Sequence, residues 1–169
     1  MKPVHVKKLN DHFIIKWIAT EMAISDGPLG EGPVVWEDPR IPYLQLTSID
    51  LQLGDGSIYR MLSQFDDGTE NGYFGLYLVA QDVLATPYPA ETGSIYRRRE
   101  LSELPVGLAS VVFLETNEPN AVSRIEIIVA RQRVSCWAAE VYEREDGAFE
   151  IIEPDESILV QVNGKRPTK

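Results

Sequence analysis

Leu53-Gly54-Asp55-Gly56-Ser57 and Arg144-Glu145-Asp146-Gly147-Ala148 share one pattern, an Asp-Gly step flanked on both sides by β-branched and aromatic residues. Each reads as a β-hairpin, because an x-Asp-Gly loop suits a type I turn closed by a glycine in the left-handed region. That position requires positive φ at Gly56 and Gly147. Side-chain pairing then sets the loop length. With Gly54 to Gly56 as the loop, Leu51 faces Tyr59 and Ile49 faces Met61 on one side of the ribbon, while Asp50 meets Arg60 on the other. A loop one residue shorter sets Arg60 against Leu51. In the second hairpin the longer loop pairs Val141 with Ile151, whereas the shorter one puts Glu143 against Glu150. The register therefore assigns Ile49, Leu51, Tyr59, Met61, Val141 and Ile151 to the interior.

Outward from the first hairpin, Tyr43 to Leu53, Ser57 to Phe65 and Tyr73 to Ala80 form an antiparallel meander, since sequential strands tend to be neighbours. Strands resume at Gly107 to Leu114, Ser123 to Ala130, Val134 to Glu143, Phe149 to Ile152 and Ser157 to Val162. The expected fold is mainly β, two antiparallel meanders packed as a sandwich or partly open barrel with one or two short helices; a β-rich α+β arrangement is the other compatible class. One domain spans 1–169, with possible meander halves 41–80 and 104–162 joined by a connection, 81–103, that holds a short helix near Ser94 to Leu101. From Asn10 to Ile24 two patterns compete. A helix would group Ile14, Trp17, Ile18 and Met22, whereas a strand would align Phe13, Ile15, Trp17 and Ala19; the run of isoleucines favours the strand. A glycine- and proline-rich loop follows at 26–33, and the tail from Gly164 to Lys169 is expected to fray.

The chain has 169 residues, a net charge of −10 and one cysteine, Cys136. A chain of this length can bury a core without staples, and a lone cysteine excludes an internal disulfide framework, so a reducing, cytoplasmic setting is expected. With a pI near 4.7, nucleic acid is an unfavourable partner, because phosphate neutralisation needs clustered lysine and arginine. Lys16, Thr20 and Glu21 interrupt the apolar stretch near the start, so neither a secretory leader nor a membrane span is read.

The catalytic inventory is thin. His5 and His12 are the near-neutral bases, no Gly-x-Ser-x-Gly elbow occurs, and Cys136 sits in a context that suits a core thiol. No catalytic residue, cofactor or metal is assigned. The acidic loop 66–72 lacks the ligand spacing of a calcium loop. Arg97-Arg98-Arg99, after Tyr96, could clamp a phosphate or carboxylate with Trp36 as a stacking surface, although Glu100 and Glu103 suggest pairing along a helix instead. The strongest regional signal is the run of acids from Glu140 to Glu156, in which Arg144 is the sole base. That hairpin is expected to display a negative face carrying Glu140, Tyr142, Glu143 and Glu150.

These features favour a non-enzymatic protein-binding domain, of inhibitor or immunity type, that receives a basic partner on the hairpin. A small-ligand or carbohydrate-binding module using Trp36, Tyr96, Arg97, Arg98 and Arg99 is the rival. A third reading is a carboxylate- or metal-dependent hydrolase built on Asp66, Asp67, Glu140 or Glu150. Oligomeric state is left open.

Overall fold

The computed structural model describes residues 6–27, 29–66, 73–117 and 121–169. A 3-10 turn over Val6–Leu9 precedes the antiparallel strands β1 (Phe13–Met22), β2 (Leu44–Leu53), β3 (Ile58–Asp66), β4 (Tyr73–Gln81) and β5 (Tyr96–Glu100). Then come β6 (Gly107–Asn117), β7 (Ala121–Val129), β8 (Gln132–Ala138), β9 (Glu140–Glu143), β10 (Phe149–Ile152) and β11 (Ile158–Val162). The chain is mainly β. Both hairpins adopt the register that side-chain pairing demands, with Ile49 opposite Met61, Leu51 opposite Tyr59 and Val141 opposite Ile151. Gly56 and Gly147 close their turns at φ +88° and +81°.

Of the packings open to the two meanders, the barrel is adopted, and it closes. β1, β2, β11, β8, β7 and β6 pair in that order and β6 returns to β1, making a six-stranded antiparallel barrel. The last strand decides this outcome. β11 inserts between β2 and β8, so the halves become one continuous sheet rather than two stacked faces, and closure removes the edges an open sheet would expose. Two barrel strands divide their outer edges between partners. β2 gives Leu44 to Leu46 to β11 and Ile49 to Gln52 to β3, while β1 gives Phe13 and Ile14 to β6 and Ile18 to Met22 to β5. β4 folds back over β7, where Gly75 lies so close to Ala121 that an added Cβ would come within 3.0 Å of the alanine methyl.

The core holds Trp17, Leu44, Leu46, Ile49, Leu51, Met61, Leu76, Leu78, Ile125, Ile127, Cys136 and Val160, with Tyr59 half-buried against it. Trp17 donates its indole N–H to the Pro105 carbonyl at 2.8 Å, which satisfies the one polar group of that buried ring. A second cluster of Ile24, Ile41, Ala139, Val141 and Leu159 lies under β9 and the 23–43 connection.

Several expectations are corrected. Phe13 and Ile15 are exposed, and Ile14 is the buried neighbour, because a bulge after Ile14 switches the strand's parity before Trp17 and Ala19 turn inward. Ile151 is 37% exposed although Val141, opposite it, is buried: β10 pairs with β9 alone among the described strands, so its end at Ile151 and Ile152 is less covered than β9. The segment expected to be a helix near Ser94 to Leu101 is β5, held as a strand by its pairing with β1. Val134 to Glu143 is two strands, because the chain leaves the barrel at Ala139, whose amide bonds the Ser157 carbonyl. The tail does not fray at 166–167, where Pro167 is buried and Arg166 donates to the Tyr43 carbonyl at 2.6 Å.

Candidate functional site

Two charged regions stand out, and the first is at the end of β1. The inward parity that buries Trp17 and Ala19 continues to Glu21, so a carboxylate takes an interior position with 1% exposure. A charge there needs partners. β5 supplies them: Arg97 lies directly opposite Glu21 and Arg99 opposite Ala19, and each donates its Nε–H to Glu21 Oε2 at 2.8 Å. Arg99 also reaches both oxygens of Glu103, at 2.8 and 2.9 Å. From the tail, Arg166 Nη2 stands 3.7 Å from Glu21 Oε1, and its Nε 3.8 Å from Glu37. Glu21 Oε1 accepts no hydrogen bond among the described residues. The Arg97 guanidinium lies over the Trp36 ring at 4.1 Å. Around these groups is an open cleft of about 360 Å³ lined by Glu37, Arg97, Arg99, Glu103, Arg166 and Lys169.

The titration behaviour follows from this geometry. Burial pushes the Glu21 carboxyl up, but the hydrogen bonds and charges of Arg97 and Arg99 together outweigh it, and the carboxyl sits below its ordinary value. Burial likewise works against the charge on Arg99, and there Glu21 and Glu103 more than restore it. For Arg166 burial wins. Its pKa is lowered because Glu37 and Glu21 do not make up the loss, and the neighbouring Arg99 adds to it.

The strand conformation divides the arginine run. Arg97 and Arg99 share the face of Glu21, while Arg98 turns to the opposite face, donates to Thr20 Oγ1 at 3.0 Å and stacks on Tyr88. Tyr96, 40% exposed, shares the parity of Arg98 and does not line the cleft. Glu21, Arg166 and Lys169 were not marked by sequence. One signal was available for Glu21, an acid at an inward position of an apolar strand.

The second region is the β9–β10 ribbon. Its inner face, Val141 and Phe149, seals the second apolar cluster, and Arg40 covers the ring of Phe149 at 4.4 Å. Gln45 anchors the ribbon by accepting the Val141 amide at 2.7 Å. The outer face carries Tyr142, Glu150 and Ile152. Glu140 shares that face by register, yet it is buried and accepts the Ser157 hydroxyl at 2.7 Å, so it is withdrawn from the expected negative surface. Glu143 is engaged by the Ser25 hydroxyl. Glu150 pairs with Arg144 at 3.3 Å with both side chains about half exposed, a pair worth little in water.

The Tyr142 hydroxyl donates to Asp155 at 3.0 Å. The adjacent Glu140 carboxylate, then burial and the bond to Asp155, hold this phenol above its ordinary pKa. Oxygens of Glu140, Asp155 and Glu156 lie within 4.8 Å of one another, but Ser157, Tyr142 and the Glu156 amide already occupy acceptors of Glu140 and Asp155.

Of the residues considered for chemistry, Cys136 is wholly buried and its thiol is pushed up to about 12 by burial alone, which removes the thiolate at neutral pH. His5 and Asp67, with most of the loop 66–72, lie outside the described residues. Large apolar side chains are also exposed away from both regions, with Phe13 and Leu108 paired across β1 and β6 at 52% and 58% exposure. Among the described residues, no helix is long and apolar enough to cross a membrane. The chain matches no protein-family model, no curated protein and no solved structure.

Proposed function

We propose that this protein is a non-enzymatic binding domain, of inhibitor or immunity type, that engages a basic protein through the outer face of the β9–β10 ribbon. One observation carries the reading. Tyr142 and Ile152 are 39% and 40% exposed on the outer face of a two-stranded ribbon whose strands pair with no strand of the barrel sheet among the described residues, and Glu150 on that face and the exposed acids Glu145, Asp146, Glu153 and Glu156 lie nearby in the chain. Apolar and aromatic side chains of this kind supply affinity when a partner covers them. The nearby carboxylates steer a positively charged partner and reject an acidic one. The ribbon is also held firmly underneath, by Val141, Phe149 and Gln45, so little ordering is left for the binding event.

The test is cross-linking in the native cell to identify the partner, followed by binding of the two purified proteins. Tyr142→Ala with Ile152→Ala is expected to weaken the complex by about tenfold or more. Association of the parent is expected to slow as ionic strength rises, since screening acts over roughly 8 Å at physiological salt. Leu108→Ala serves as the control on the other apolar surface. Full binding by the double variant, or loss of binding at Leu108 alone, would overturn the reading.

A further inference from the structure

The cleft beside Glu21 leaves guanidinium donors unused, although Glu21 Oε1 also accepts no hydrogen bond among the described residues. Arg97 spends its Nε on Glu21 and its face on Trp36, and among the described residues its Nη groups donate to nothing. Arg99 spends Nε and Nη1 and keeps Nη2. Arg166 spends Nη1 on a carbonyl, and its Nη2 stops 3.7 Å from Glu21, beyond hydrogen-bond distance. The charges are unequal as well. Three guanidiniums, 30%, 21% and 15% exposed, face only two buried carboxylates, Glu21 at 1% and Glu103 at 4%. Glu37, the remaining acid, is 74% exposed and reaches no closer than 3.8 Å. The third, partly desolvated guanidinium, Arg166, is compensated only by these longer pairs with Glu21 and Glu37, and burial, which they do not offset, holds its pKa below the ordinary value.

We propose that this cleft binds the oxyanion headgroup of a small molecule, a carboxylate or a phosphate, on the Nη groups of Arg97, Arg99 and Arg166, with Lys169 at the rim. Guanidinium groups present planar forks that match such oxygens, and each bond made is charge-assisted. Trp36 and Glu21 act as positioning residues. Trp36 holds the Arg97 plane from its face and Glu21 holds it from its Nε edge, so the Nη edge is presented without further loss of side-chain freedom. Glu37 competes for the same positive charge and limits affinity while it stays in place. The protein as a whole is acidic, so an anion drawn to it is drawn to a local field that opposes the global one.

Titration of the full chain with inorganic phosphate and, separately, with acetate tests this, read by calorimetry and by the arginine Nε–H signals in NMR. Saturable binding of at least one anion is expected, with the Arg97 and Arg99 signals shifting. Phosphate binding without acetate binding would identify the source as a phosphorylated ligand, and the converse a carboxylate. Arg97→Lys keeps a positive charge beside Glu21 but removes the fork, and should weaken binding by about tenfold. Arg166→Gln should do the same by a route that leaves the pair of β1 and β5 intact. Glu37→Gln should tighten binding a few-fold. The proposal is overturned if neither anion binds saturably, or if both Arg97→Lys and Arg166→Gln bind as the parent does.

Discussion

The cleft and the ribbon use the same residue types, arginine and glutamate on paired strands, to opposite ends. At Glu21 the carboxylate is 1% exposed and two arginines bond one of its oxygens, so each partner is needed to keep a charge tolerable where water is excluded. On the ribbon, Arg144 and Glu150 are 56% and 46% exposed, and solvent screens the pair until it matters little to the fold. Burial rather than sequence identity decides whether a charge holds the fold or stays available to a partner.

The sharpest way to break this contrast is Glu21→Ala. It leaves the guanidiniums of Arg97 and Arg99 without their shared acceptor, and a loss of about 3 kcal/mol is expected from urea unfolding. A loss near zero would mean that water already screens the site.

The turns allow a finer comparison of the two hairpins. An added Cβ at Gly56 or Gly147 meets no heavy atom within 4 Å, so the strain expected of Gly→Val comes from the backbone, held at φ of +88° and +81°, rather than from a clash at Cβ. A loss of about 1 to 2 kcal/mol is expected at both, read as a lowered urea midpoint. Midpoints equal to the parent's would show that the turns can relax.

Acid sharpens the contrast further. The folded Glu21 carboxyl lies below the ordinary value of 4.5, so the unfolded chain takes up its proton first as pH falls. The stabilisation is fully present above that ordinary value and is lost as pH drops through the folded one. The gap in stability between the parent and Glu21→Ala should therefore narrow below pH 4.5. A gap that does not change with pH would separate the effect from ionisation.

The smallest effect is expected at the ribbon. Glu150→Ala should change stability by no more than about 0.5 kcal/mol by the same unfolding measurement. A larger change would make the ribbon's charges structural.

Hairpin register was legible because it is local. Asp50 and Arg60, Ile49 and Met61 are close in the chain, and the turn between them admits few loop lengths, so opposing side chains choose among them. Parity along β1 was not, because a bulge shifts it by one residue and nothing near Ile14 or Ile15 marks the place. β5 was misread for a related reason. Arg97, Arg99, Glu100 and Glu103 have spacings that suit a helix, and what makes the segment a strand is β1, far away in sequence. The acidic run was visible as composition, but the burial of Glu140 depends on how Ser157 folds back upon it.

A β-rich chain with two Asp-Gly hairpins in one defined register, two left-handed glycines and an acidic second hairpin follows from the order of residues, because turn chemistry and cross-strand pairing act over a few neighbours. Closure of the barrel, the partition of the arginine run between two faces and the docking of Arg166 beside Glu21 do not. They depend on β11 reaching β2 and on the tail reaching Tyr43, contacts between distant segments whose favourable energy appears only once the sheet has formed and water has been driven from its end.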